Sequence, residues 1–95
     1  MIRFSWDHQK NELLKANKAR GSIGFEEVLS LYKNPFYEAM RSDDPEQFVS
    51  TGWVNGVLYS LIFEEREDEL GAYRHLVTFW KSSKEEQRTY EKHTK

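Results

Sequence analysis

Hydrophobic and polar positions change their period several times along the chain, and each change marks an element. Residues 1–6 alternate loosely, with Ile2, Phe4 and Trp6 apolar, which predicts a short strand. Asp7 is a good helix N-cap. Residues 8–19 contain neither Pro nor Gly and predict a helix with a thin apolar stripe of Leu13, Leu14 and Ala16, ended by Gly21. A second helix, 24–33, carries Glu26 and Glu27 in its first turn, where the helix dipole favours acids. Its Phe25, Val28, Leu29 and Tyr32 fall at i, i+3, i+4 and i+7, one apolar face, and Asn34-Pro35 stops it.

The second half reads as strands. Residues 36–40 and 47–54 are strand-like, with a polar turn at 41–46 between them. Asn55-Gly56 tolerates positive φ at both positions, as a two-residue type I′ hairpin requires. From Val57 to Phe63 every residue is β-branched, aromatic, Leu or Ser, which predicts a central strand buried on both faces. The acidic run 64–69 predicts a loop closing at Gly71. The last strand, 73–80, places Tyr73, His75, Val77 and Phe79 on one face and Arg74, Leu76, Thr78 and Trp80 on the other by strict alternation. Ser83 and Glu86 have capping-box spacing and open a helix to about His93 whose one apolar residue is Tyr90. The whole chain, 1–95, reads as a single α+β domain: an antiparallel sheet meander of four main strands, with two N-terminal helices packed on it and one C-terminal helix.

Composition narrows the function classes. The 95 residues are 38% hydrophobic and 32% charged, enough apolar mass for one modest core. There is no cysteine, which excludes disulfides and thiolate metal sites and suits a cytoplasmic location. No stretch approaches the ~20 apolar residues of a membrane span. A net charge of −2 argues against a strongly basic nucleic-acid binder, so local charge has to decide that question. His8, His75 and His93 have no metal-ligand spacing, and neither a phosphate-binding glycine loop nor a serine nucleophile elbow is present. No metal or other cofactor is expected.

His75, flanked by Arg74, is either an ordinary strand histidine or an acid/base group near neutral pH. Lys10, Lys15 and Lys18 make the first helix basic, and Lys81, Lys84 and Arg88 cluster near the last one; such groups either face solvent or hold phosphates. Glu86 and Tyr90 share a helix face at i, i+4; Tyr90 either docks that helix or joins a site.

The ordered set of motifs resembles BrnT-like toxins. Phe4-Ser5-Trp6-Asp7-His8-Gln9-Lys10 is similar to that family's opening, Phe25-Glu26-Glu27 to its second helix, and the segment 76–86 to its closing strand and helix. Gly52, the Gly56 hairpin and Tyr90 fall in the family's order, so the resemblance covers nearly the whole chain. It implies a RelE-like fold, metal-independent RNA cleavage and neutralisation by a cognate antitoxin, with RNA as substrate in a prokaryotic cytoplasm. On that reading His75 is the acid/base group. Arg74, Lys81 and Lys10 contact phosphate, Glu86 and Tyr90 orient groups or move protons, and Lys15, Lys18, Lys84 and Arg88 hold RNA. The chain departs from the pattern at Lys18, where the family carries His, at His75, where it carries Arg, and at Trp80, where a cation is usual. Trp80 can stack on a base or fill a partner interface, which implies weakened cleavage, or a degenerate domain that only binds protein.

Overall fold

The apolar run at 57–63 lies in the middle of the sheet, where both of its faces are covered. The computed structural model describes residues 2–94. Strands β1 (Arg3–Trp6), β2 (Phe36–Asp43), β3 (Glu46–Val54), β4 (Val57–Asp68) and β5 (Gly71–Lys81) form one five-stranded sheet in the order β1-β5-β4-β3-β2. The hairpins β2–β3, β3–β4 and β4–β5 are antiparallel. The sheet is mixed, because β1 joins the outer edge of β5 in parallel, with Ser5 beside His75 and Trp6 beside Leu76. Asn55 and Gly56 have φ of 49° and 80°, the positive pair that the hairpin needs.

Both N-terminal helices are shorter than their sequence periodicity predicts. Helix α1 spans His8–Lys15, with the Asp7 side chain accepting from the Lys10 N–H. Asn17 then caps a separate 3₁₀ turn, Lys18–Arg20, by accepting from Ala19 N. A short amide side chain competes with the backbone in this way and interrupts a helix more readily than it continues one. Helix α2 spans Phe25–Val28 and tightens into a 3₁₀ helix, Leu29–Lys33. The tighter winding after Val28 brings Leu31 into line with Phe25 and Val28, and all three are fully buried. Leu29 and Tyr32, predicted to share that buried face, are only partly buried. Gly52 on β3 lets Leu31 approach: a Cβ there would lie 3.2 Å from the Leu31 Cβ.

The β4–β5 ladder breaks step once. Ile62 pairs with Thr78 but Phe63 pairs with Leu76, so Val77 has no partner. Such a bulge ends strict alternation. Arg74, Leu76, Phe79 and Lys81 therefore share the side covered by α1 and α2, the helix face. His75, Thr78 and Trp80 share the other side. The expected grouping of Phe79 with His75, and of Trp80 with Arg74, is corrected by this one residue. The helix-face core joins Leu61, Phe63, Leu76 and Phe79 to Leu14, Phe25, Val28 and Leu31. Phe25 meets Phe79 edge-on at 5.4 Å.

The run 64–69 is not a loop. β4 continues through Asp68, and only Glu69 and Leu70 turn. Helix α3 (Lys84–His93) starts with the capping box of Ser83 and Glu86. It lies on the opposite side of the sheet from α1 and α2, docked by Tyr90, which is 6% exposed, meets Trp53 edge-on at 6.3 Å and donates to Pro35 O at 2.8 Å.

Leu31→Ala is expected to lower unfolding free energy by about 2–5 kcal/mol, and Leu29→Ala by clearly less. Chemical denaturation of the two variants measures this; a larger cost for Leu29→Ala contradicts the packing described.

Candidate functional site

The α3 face of the sheet has two clusters of side chains that can do chemistry. The first centres on His75. Its Nδ1 lies 2.9 Å from Ser5 Oγ, a contact made by the parallel pairing of β1 with β5. Glu64 is its cross-strand neighbour. Glu64 in turn accepts from Arg66 at 2.6 Å and from Gln47 Nε2 at 3.0 Å. Those bonds hold the Glu64 carboxyl below its ordinary value, Gln47 first and Arg66 second. Partial burial pushes the His75 imidazole below the ordinary histidine value, and the Arg66 charge adds to that. Glu64 and Asp7 act the other way, and Lys10 again lowers it. His75 is thus held neutral near pH 7. With Nδ1–H donating to Ser5 Oγ, Nε2 presents a lone pair.

The second cluster lies five residues along β5, on the order of 15 Å away at strand rise. Here the Trp80 indole N–H donates to both Glu86 carboxylate oxygens, at 3.1 and 3.2 Å. Glu86 also accepts from Ser83 N at 2.7 Å. The Arg41 guanidinium sits 5.5 Å from the centre of the Trp80 ring. A cavity of about 270 Å³ opens beside it, between α3 and a floor of Tyr37, Ala39, Val49 and Thr51.

Charge differs between the faces. On the α3 face, Glu64 is paired with Arg66 and Asp68 with Arg3. Glu65 and Glu67 project to the helix face, by their pairing with Arg74 and Ala72, and form no ion pair among the described residues. The strand that reads as one acidic block therefore leaves its uncompensated acids on the helix face.

The residues picked out from the sequence do not form one site. His75, Trp80 and Glu86 share the α3 face, and Lys10 lies near enough to His75 to influence its titration. Arg74 is on the helix face, in a two-pronged ion pair with Glu38 at 2.8 and 3.2 Å and 4.2 Å from the centre of the Phe63 ring. Its bonds are satisfied there, so it does not stand with His75. Lys81 also points to the helix face, across from Tyr59 and near the 3₁₀ turn. Tyr90 is buried with its hydroxyl bonded, so its role is to dock α3. Lys15 bridges Glu12 and Glu26 at 3.6 Å each. Lys18, Lys84 and Arg88 are exposed, Lys18 on the 3₁₀ turn and the other two on α3.

Ser5, Glu64, Arg66 and Arg41 were missed. Alternation along 1–6 does set Ser5 apart from Phe4 and Trp6, but nothing in the sequence shows that β1 pairs with β5. Among the described residues no group of three His, Asp or Glu side chains could hold a metal ion, and no helix is long and apolar enough to cross a membrane. No protein-family model matches the chain, and a search of the curated proteins finds no match.

Because the folded imidazole binds a proton less readily than the unfolded one, the stability that His75 contributes is complete above the ordinary histidine value. It is lost as pH falls from there through the folded pKa. NMR titration should place His75 below a free histidine, and Arg66→Gln should raise it by removing a nearby cation. A His75 that titrates above 6.5, or falls in Arg66→Gln, contradicts this electrostatic account.

Proposed function

We propose that this chain is a RelE-like toxin-family ribonuclease that cleaves RNA on the α3 face of its sheet and is neutralised by a cognate antitoxin in the cytoplasm. The observation that carries the reading is His75: neutral, held through Nδ1 by Ser5, half-buried on the α3 face, with Nε2 in no hydrogen bond among the described residues. RNA supplies its own nucleophile, so cleavage needs a base, a cation for the phosphorane and a leaving group, and no cofactor. His75 Nε2 takes the 2′-OH proton as the O2′–P bond forms. The P–O5′ bond breaks, the 5′-oxygen takes a proton from water, and the hydroxide left takes the imidazolium proton, which returns His75 to its neutral form. Arg66 and Lys10 are the cations whose charge reaches His75, Arg66 the more strongly. The resemblance of the opening and closing motifs supports the same class.

A second reading is favoured by the ion pairs. Arg74 and Lys15, two of the expected phosphate contacts, are already matched by carboxylates, and Trp80 is uncharged. A domain of this kind that has lost cleavage would act only as a protein-binding module.

Bulk RNA incubated with the purified protein in EDTA separates the two. Cleavage is expected, reduced about 10²–10⁴-fold in His75→Ala and by less in Lys10→Ala. Intact RNA with wild-type protein contradicts the ribonuclease reading, and cleavage unchanged in His75→Ala contradicts the role of that residue.

A further inference from the structure

Four arginines stand on the strands: Arg3, Arg41, Arg66 and Arg74. Three are neutralised where they stand, by Asp68, Glu64 and Glu38. Arg41 forms no ion pair among the described residues. Among the described residues its one side-chain hydrogen bond is donated from Nη1 to Gln47 Oε1, at 3.1 Å. A guanidinium has five N–H donors, so most of them are uncommitted.

The position of Arg41 is unusual for a solvated arginine. It occupies the bulge of the edge strand β2, between Met40, paired with Phe48, and Ser42, paired with Gln47. Trp80 is on β5, with β3 and β4 between. Three strand spacings are about 14 Å, yet the guanidinium reaches to 5.5 Å from the indole ring centre. The two side chains therefore extend toward each other across the sheet. The indole is fixed by Glu86, so the charge is held over a defined aromatic surface. Stacking leaves the N–H edge of a guanidinium free for an anion.

We propose that Arg41 is a phosphate-binding residue of the RNA-binding face, carrying to the end of β5, from the far edge of the sheet, the positive charge that the neutral Trp80 ring lacks. This rests on the RNA-cleaving reading above. The neighbouring cavity bears Glu85 and Glu86 and repels phosphate, so the backbone of a bound strand is kept at Arg41 while base N–H groups suit the carboxylates. Arg41 thus marks a phosphate position at the Trp80 end of the face that bears His75.

The test measures affinity for a short single-stranded RNA against salt, with wild type, Arg41→Gln, Arg41→Lys and, as a control, Lys33→Gln on the helix face. Losing one phosphate contact from single-stranded RNA lowers the log–log slope by about 0.7. Arg41→Gln should show that loss, Lys33→Gln should keep the wild-type slope, and Arg41→Lys should keep the slope with weaker binding. Wild-type binding with an unchanged slope in Arg41→Gln overturns the proposal and leaves the ribonuclease reading intact. No RNA binding by the wild type overturns both. Should Arg41→Gln fail to fold, the Arg41 Nε–H resonance of the wild type, titrated with the same RNA, decides: a shift supports the contact and an unmoved signal overturns it.

Discussion

The pairing of β4 with β5, and the one unpaired residue within it, decides what each face of this sheet can do. Leu76 and Phe79 are three apart on one strand, yet both are buried in the same core, at 1% and 0% exposure. Strict alternation would send one of them to the opposite side. The bulge at Val77 resolves this by letting both pack with Phe25, Leu61 and Phe63. The same step turns Trp80 to the side of His75 and leaves Arg74 and Lys81 with the helices. A packing requirement of the core thus sorts the side chains available for chemistry.

Charge is sorted in parallel. On the helix face, Arg74 is tied into Glu38, Tyr32 and Ser50, a polar network that ties the 3₁₀ helix, edge strand and central sheet together rather than offering a free cation. On the α3 face the acids of β4 are offset by Arg66 and Arg3, and Arg41 forms no ion pair among the described residues. A chain with a net charge of −2 can still present a locally favourable surface for phosphate in this way. Partial burial first, and the Arg66 charge second, hold His75 below the ordinary histidine value against the opposing pull of Glu64 and Asp7, which favours the neutral imidazole.

Much of this was legible in the sequence where local chemistry dominates. Asn55-Gly56, the Ser83–Glu86 capping box, the buried run 57–63 and the docking role of Tyr90 all depend on neighbours a few residues away or on plain apolarity. What was not legible depends on long-range partners. The strand 64–68 is wet on both faces, so no hydrophobic period marks it, and its Asp68 and Glu64 are paired by Arg3 and by its own Arg66. The tightening at Leu29–Lys33 changes the buried set from Leu29 to Leu31 by a small change in helical twist. Ser5 and Arg41 gain meaning only from the strand order, which brings an N-terminal serine and an edge-strand arginine to opposite ends of β5.

The claim that RNA is held on the α3 face, not the helix face, is tested most directly by oxidative footprinting with mass spectrometry. Phe36 and Met40, 41% and 55% exposed, report on the helix face, as their pairing with Gly52 and Phe48 places them there. His75 and Trp80 report on the other. The account predicts that a short single-stranded RNA protects His75 and Trp80 and leaves Phe36 and Met40 unchanged. Protection of Phe36 and Met40 with His75 and Trp80 unaffected would contradict it.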